Sequence, residues 1–257
     1  MREKLSGLLL VAVFFAAAPL ANAQTAQRVL DVPVAGAPQR ALYVTPLHPR
    51  ASIVMLPGGA GDVGLGADGA LAHDNNFVVR SRALWVAEGF AVLIPDGDNL
   101  RGRRSSPDYA ALVGALVAAA KAQASGPVFL LGTSQGAIAA MNGAAHLRHG
   151  EIAGVVLSES VSVLGGSHET VFDAHPGEVN VPALVVANRD DRCNVAPPQD
   201  AAKIAATMRD SPAVKVLNVS GGTQRSSRDC GSLSPHGYYG IEQTVVSAIA
   251  AWMKALL

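Results

Sequence analysis

The sequence predicts an α/β protein, with a mostly parallel, twisted sheet of about seven to eight strands and helices on both faces. Apolar runs rich in Val, Ile and Leu alternate along the chain with alanine-rich stretches of helical length, which is typical of a parallel sheet covered by helices. These runs lack regular polar alternation, as expected of strands buried on both faces. Turn-forming residues such as Ser125-Gly126-Pro127 and Pro197-Pro198 separate the two kinds of segment.

Each element follows from its own stretch of residues. Seven apolar runs predict strands at Ala41–Thr45, Ser52–Leu56, Ala91–Pro95, Val128–Gly132, Gly154–Ser158, Ala183–Ala187 and Val214–Val219. Five stretches between them predict helices at Asn76–Glu88, Asp108–Ala124, Gln135–Leu147, Gln199–Met208 and Ile241–Leu257. The chain has 257 residues, 49% of them hydrophobic, which is enough for one sizeable core. Because no repeat or linker divides it, we expect a single domain over residues 24–257.

Residues 1–23 have the layout of a secretory signal peptide. A basic start with Arg2 and Lys4 precedes the apolar run Leu8–Ala18, and residues 21–23 read Ala-Asn-Ala, an A-x-A cleavage site. The apolar run is short for a membrane span, so an uncleaved anchor is the less favoured alternative. We therefore expect a mature chain that begins near Gln24 and an exported protein, periplasmic or secreted.

The charge balance argues against two classes of partner. The chain carries 20 Lys and Arg against 20 Asp and Glu, which gives no electrostatic reason to bind nucleic acid or to stay on a membrane once the signal is removed. Arginine is dense only at Arg80, Arg82, Arg101, Arg103 and Arg104. A solvated helix face and an exposed loop account for these residues, and the sequence assigns them no role in binding substrate.

The stretch Gly132-Thr133-Ser134-Gln135-Gly136 places one hydroxyl between two glycines, where a predicted strand turns directly into a helix. Such a tight turn strains its central residue and leaves no room for side chains at its flanks, which accounts for the glycines. The hydroxyl of Ser134 then projects above the sheet edge, in front of a helix N-terminus that favours developing negative charge. A serine that merely makes a turn is the alternative to a nucleophile.

A serine nucleophile needs a base to take its proton and a third group to orient that base. In a strand–turn–helix arrangement of this kind the chain order is serine, acid, histidine. His236 lies between the last predicted strand and the C-terminal helix, from where it can reach back over the strand ends. We therefore take His236 as the candidate base, whereas His168 and His175 fall in a polar stretch and are interpreted as solvated loop residues.

The acid is expected after the penultimate strand, where Asp190 and Asp191 are adjacent. Neighbouring side chains point in different directions, so only one of them faces the histidine. Three residues and then Val195 with a proline turn follow Asp191, which favours it. Asp190 would then serve the turn or an ion pair. Glu159, at the end of another predicted strand, is a further alternative acid.

An acyl-transfer site also needs two backbone N–H donors for the oxyanion. Gln135, which follows the nucleophile, supplies the first. The second is expected from the glycine-rich loop after an early strand, where Gly59 is preferred and Ala60 is next, because glycines let the backbone approach a substrate carbonyl.

The two cysteines, Cys193 and Cys230, are expected to form a disulfide in an exported chain. Cys193 lies two residues after Asp191, and Cys230 lies six residues before His236. A bridge between them would join the acid loop to the histidine loop. Closing a loop of about 37 residues should stabilise the fold by roughly 3–4 kcal/mol.

At these residues the chain resembles the α/β-hydrolase superfamily, with residues 132–136 as the nucleophile elbow, Asp191 as acid, His236 as base and residues 57–59 as the oxyanion loop. The resemblance covers nearly the whole chain after residue 23. It departs at Pro57, where many members carry His before the glycines, and the chain lacks an insertion of the size that forms a large cap domain.

The resemblance implies a serine hydrolase of the carboxylesterase type, which would cleave a small acyl substrate through an acyl-enzyme. It implies neither a metal nor an organic cofactor. The alternatives are an amide, peptide or lactone hydrolase with the same three residues, and a non-catalytic exported binding protein on the same fold.

Overall fold

The computed structural model describes residues 25–257, which form an open sheet of eight strands with helices on both faces. The strands are β1 (Thr25–Val32), β2 (Gln39–Pro46), β3 (Ala51–Leu56), β4 (Phe90–Pro95), β5 (Val128–Thr133), β6 (Gly154–Ser158), β7 (Ala183–Asn188) and β8 (Val214–Val219). They lie in the order β1-β2-β4-β3-β5-β6-β7-β8. Strands β3 to β8 are parallel, and β2 pairs antiparallel with both β1 and β4. The predicted signal peptide, residues 1–23, lies outside the described residues.

Six α-helices accompany these strands. They are α1 (Phe77–Arg80), α2 (Arg82–Ala87), α3 (Pro107–Gln123), α4 (Gln135–His146), α5 (Ala201–Thr207) and α6 (Glu242–Lys254). Short 3₁₀ helices cover Val171–Asp173, Pro176–Glu178, Pro198–Asp200 and Pro235–Gly237. Apolar residues of α3, α4 and α5 pack on one face of the sheet, and those of α1, α2 and α6 pack on the other. The predicted fold class is thus confirmed.

Every residue of the inner strands β3 to β7 is buried, which confirms that their unbroken apolar runs mark a sheet covered on both sides. Because these strands are parallel, their carboxyl ends share one edge of the sheet. The long segments 57–76, 159–182 and 220–241 all begin at that edge. None of the described segments is large enough to form a separate cap domain, and no helix within residues 25–257 has the length and apolarity needed to cross a membrane.

Two elements differ from their sequence-based prediction. Strand β1 was not among the predicted strands, because it lies at the sheet edge and its residues are mostly exposed, so its sequence carries no apolar run. The single helix predicted over Asn76–Glu88 is two helices that meet at Ser81. The Ser81 hydroxyl donates to the Phe77 carbonyl at 2.6 Å, and this competing bond bends the chain at that point.

Candidate active site

The turn between β5 and α4 holds Ser134 in a strained conformation, with φ 59° and ψ −124°. The neighbouring backbone is too close for side chains: a Cβ on Gly132 would lie 2.1 Å from the Gly136 carbonyl oxygen, and one on Gly136 would lie 2.0 Å from that of Leu56. The Ser134 N–H donates to the Ser158 carbonyl at 2.8 Å, which ties the turn to strand β6. The glycines on both sides of the serine therefore follow from crowding, and Ser134 stands half-buried above the sheet edge.

Three side chains from three separate loops meet at this turn. The Ser134 Oγ lies 2.9 Å from Nε2 of His236, and Nδ1 of His236 lies 2.7 Å from Oδ2 of Asp191. Since a carboxylate accepts, Nδ1 carries the proton and Nε2 is left to accept from the serine hydroxyl. His236 and Asp191 are 3% and 6% exposed, so both hydrogen bonds lie largely out of water.

Backbone and side-chain contacts fix the histidine and the acid. The His236 N–H donates to the Ser234 hydroxyl at 3.2 Å, and the Cys193 N–H donates to Oδ1 of Asp191 at 2.8 Å. Arg80 donates to the Gly237 carbonyl and pairs with Glu242 at 2.8 Å. Arg80, which the sequence left without a role, thus supports the histidine loop rather than facing the cleft.

The two alternative acids occupy different positions. Asp190 is exposed, and its Oδ2 accepts from the Gly221 N–H at 2.6 Å. It therefore joins the loop after β7 to the loop after β8, and within residues 25–257 it forms no ion pair with Arg189 or Arg192.

Glu159 is buried behind Asp191, with Oε1 accepting from the Asn188 N–H at 2.7 Å. Burial, and then the negative charge of Asp191 and a hydrogen bond with it, hold the pKa of Glu159 well above its usual range. Burial among these neighbours thus favours the protonated form of the Glu159 carboxyl over the carboxylate. Together with His236, these two side chains lie within 4.8 Å of one another, but the hydrogen bonds on both nitrogens of His236 leave it no lone pair for a metal ion.

Three backbone N–H groups close to Ser134 in the fold are available as donors. The N–H groups of Gln135, Gly59 and Ala60 have no hydrogen-bond acceptor among the described residues. Gly59 has φ +61°, a conformation that favours glycine. Gly59 and Ala60 line the same cleft as Ser134, so both stay candidates for the second oxyanion donor.

Arg104 joins the two segments predicted to form the oxyanion hole, the Gly59 loop and Gln135, and no local pattern in the sequence indicates this contact. Its guanidinium is 0% exposed. It donates to the Gly59 carbonyl at 2.8 Å and to Oε1 of Gln135 at 3.0 Å. Only the charge of this residue distinguished it in the sequence, where it stands beside Arg103, whose side chain is exposed.

The remaining predicted residues lie away from these contacts or support them. Arg82 donates to the Val79 carbonyl at 2.9 Å, Arg101 is exposed, and so are His168 and His175. The expected disulfide is present, with the sulfur atoms of Cys193 and Cys230 2.07 Å apart.

Ser134 and His236 open into a cleft of about 340 Å³. One wall comes from the segment that precedes α1, and includes Asn75 and Asn76. The opposite wall comes from the loop before His236, and includes Arg228 and Ser232. Most of these wall residues are polar. Because the two walls are about 150 residues apart in the chain, the sequence does not show that they line the same cleft.

Comparisons with known proteins identify the fold. No protein-family model matches the chain, and neither does any curated protein. Among solved structures, the Pyrococcus furiosus esterase PF2001 matches with a TM-score of 0.66 and 12% identity, over 90% of this chain and 91% of that one. Est1E from Butyrivibrio proteoclasticus matches with a TM-score of 0.62 and 14% identity, over 89% and 98%. Dienelactone hydrolase from Anabaena variabilis matches with a TM-score of 0.60 and 16% identity, over 90% and 98%. The chain therefore has the α/β-hydrolase fold.

Proposed function

We propose that this protein is an exported serine hydrolase that cleaves carboxylic esters through an acyl-enzyme. The observation that carries the proposal is the unbroken chain of hydrogen bonds from Ser134 through His236 to Asp191, at 2.9 Å and 2.7 Å. A hydroxyl placed on a strained turn with a buried base and acid behind it suits nucleophilic attack. The names of the structural neighbours, which include esterases, agree with hydrolysis.

In the proposed reaction, the Ser134 oxygen attacks the ester carbonyl carbon while its proton passes to Nε2 of His236. The N–H groups of Gln135 and Gly59 donate to the oxyanion that forms on the carbonyl oxygen, and each such donor contributes about 3–4 kcal/mol. Collapse of this intermediate breaks the bond to the alcohol oxygen, which leaves with the proton from His236. Water then attacks the acyl-enzyme by the same steps and releases the acid.

Asp191 keeps the imidazole in the tautomer that can accept the serine proton, and stabilises the imidazolium that follows. Glu159 lies behind Asp191, where its Oε1 accepts from the Asn188 N–H at 2.7 Å, and this bond fixes the carboxyl next to the acid.

Ser134→Ala tests the nucleophile. We expect it to lower kcat for p-nitrophenyl acetate by roughly 10⁴-fold or more and to abolish labelling by a fluorophosphonate probe, with an unchanged melting temperature. Turnover that survives in the folded variant would remove Ser134 from its role. Absence of labelling in the wild-type protein would favour the binding-protein alternative.

The choice of acid is tested by a matched pair of variants. We expect Asp191→Asn to lower kcat by roughly 10³- to 10⁴-fold, because the amide reverses the tautomer preference of the histidine. Asp190→Asn, one residue away, should stay within about threefold of wild type, since its exposed side chain accepts from the Gly221 N–H and does not contact the histidine. Equal losses in the two variants would contradict the assignment.

The bond that is cleaved is tested with p-nitrophenyl esters, p-nitroanilides and aryl lactones of matched acyl size. Esters should be the best substrates. The lactone alternative has one specific point in its favour, which is that a dienelactone hydrolase is among the structural neighbours. Export is tested by fractionation and by the N-terminal sequence of the mature protein, which should begin near Gln24.

A further inference from the structure

The cleft at Ser134 does not end at the catalytic groups. A second hollow of about 300 Å³ adjoins it, and Asn75, Arg228, Gly231 and Ser232 line both. A substrate held at Ser134 can therefore extend past these residues. The part of the substrate that extends beyond Ser134 would contact the side chains of Asn75, Arg228 and Ser232.

These three side chains offer hydrogen-bond donors that the fold does not use. Within residues 25–257, the Arg228 guanidinium, the Asn75 amide and the Ser232 hydroxyl make no hydrogen bond or ion pair. Their backbones are nevertheless fixed: the Asn75 carbonyl accepts from Arg80, and the Arg228 carbonyl accepts from the Gly231 N–H at 2.9 Å. The exposed side chains of Asn75 and Arg228 and the half-buried side chain of Ser232 therefore line the cleft without a protein partner among the described residues.

The loop that carries Arg228 is tied to the catalytic loops. The disulfide joins Cys230, two residues away, to Cys193 beside the acid loop. The Ser234 hydroxyl lies 2.8 and 2.7 Å from the carbonyl oxygens of Asp229 and Gly231, which share its single proton. These contacts set the position of the Arg228 backbone relative to His236, as a binding group for substrate requires.

The charges around the cleft favour an anion near Arg228. Asp62 is the one carboxylate among the residues that line it. That carboxylate is already engaged by Nδ1 of His73 at 3.2 Å and by the Gly64 N–H at 2.8 Å. Arg228 keeps an uncompensated positive charge, and a guanidinium binds a carboxylate through two parallel hydrogen bonds. The single positive charge of Arg228, together with the neutral donors of Asn75 and Ser232, therefore matches a ligand with one carboxylate.

We propose that Arg228, with Asn75 and Ser232, forms a subsite for a carboxylate on the substrate, so that the preferred esters carry a free carboxylate away from the bond that is cleaved. This inference rests on the proposed function and deepens it by naming the substrate class. Arg228 acts in binding, and the ester chemistry stays with Ser134, His236 and Asp191.

The experiment compares esters that differ only in charge. On the acyl side, the p-nitrophenyl monoester of glutaric acid is compared with p-nitrophenyl pentanoate; on the alcohol side, 4-carboxyphenyl acetate is compared with its methyl ester. We expect kcat/KM to favour the anionic member of at least one pair. Arg228→Gln should lower kcat/KM for that anionic ester by about 10-fold, mainly through KM, and leave the neutral ester within about twofold. Arg228→Glu should lower it further.

Arg225→Gln is the matched control, because Arg225 lies in the same loop, contacts the Tyr239 hydroxyl at 3.2 Å and lines neither hollow. It should leave the anionic preference unchanged. The subsite is overturned if Arg228→Gln and Arg225→Gln give the same ratio of anionic to neutral kcat/KM as wild type. If that happens while Ser134→Ala is inactive, only the subsite fails.

A second readout does not depend on turnover. Glutarate should bind to the Ser134→Ala variant in calorimetry, and adding Arg228→Gln should weaken this binding about 10-fold. Equal glutarate affinity with and without Arg228 would also overturn the subsite. Because no ester is hydrolysed in this measurement, its outcome is independent of the proposed reaction.

Discussion

Arg104→Met tests whether the buried guanidinium holds the oxyanion segments in place. Methionine fills a similar apolar volume but has no donor. The substitution therefore removes the hydrogen bonds to the Gly59 carbonyl at 2.8 Å and to Oε1 of Gln135 at 3.0 Å, together with two longer contacts at 3.4 Å to the carbonyls of Pro57 and Leu100.

The expected magnitude follows from the acceptors that lose their donor. Each buried acceptor left unpaired costs about 1–3 kcal/mol, so the two short bonds give about 2–6 kcal/mol. Burial lowers the pKa of Arg104, which means that burying its charge costs free energy that the apolar variant recovers. A net loss of about 2–4 kcal/mol remains, or roughly 4–16 °C in Tm for a chain of this size.

The catalytic effect is separate from the stability effect. Complete removal of one oxyanion donor lowers kcat by roughly 10²- to 10³-fold. In Arg104→Met the Gly59 N–H is displaced but not removed, so we expect a loss of about 10- to 100-fold in kcat for p-nitrophenyl acetate. The reaction is measured well below the Tm of the variant, so that unfolding does not contribute.

Arg103→Met is the control, since the Arg103 side chain is exposed and its loss should change stability by no more than about 0.5 kcal/mol. Thermal and urea unfolding give the stability, and initial rates give kcat. If Arg104→Met matched Arg103→Met in both, the guanidinium would not be holding the oxyanion segments.

Two further predictions concern the groups behind the histidine. Glu159→Gln should keep kcat within about threefold, because the amide fills the same buried space and its oxygen can still accept from the Asn188 N–H, whereas Glu159→Ala removes this acceptor and should lower kcat clearly. Because the pKa of Glu159 is higher in the folded protein than in the unfolded chain, protonation of this group stabilises the folded state. This stabilisation is complete below the unfolded-state pKa, near 4.3, and is lost as pH rises through the folded pKa, at up to about 1.4 kcal/mol per pH unit. Relative to wild type, Glu159→Gln should therefore gain stability with rising pH in urea titrations; parallel curves would show that Glu159 ionises as freely as in the unfolded chain. Replacement of Cys193 and Cys230 by Ser, which opens a loop of 37 residues, should cost roughly 3–4 kcal/mol of unfolding free energy in urea, and it should lower kcat because the acid and histidine loops are no longer joined. A double variant as stable as wild type would contradict the role given to the bridge.

The sequence by itself determined seven of the eight described strands, most of the helices and the turn around Ser134, because each depends on residues that are neighbours in the chain. Unbroken apolar runs identify β3 to β7, and the glycines at 132 and 136 mark a turn where the backbone leaves no room for a Cβ. The chain order serine, acid, histidine nominated Ser134 and His236, and the local pattern after Asp191 favoured it over the alternative acids, which stayed open.

Only the tertiary structure decided which side chains touch across that edge. Arg104 and Gln135 are 31 residues apart, and Glu159 meets the Asn188 backbone 29 residues away, so no local pattern connects them. Strand β1 left no apolar signal because it is exposed, and Ser81 interrupted a helix through one hydroxyl bond. Periodicity and turn chemistry are local properties of a chain, whereas contacts between loops depend on strand register and loop closure, which arise only when the whole sheet has assembled.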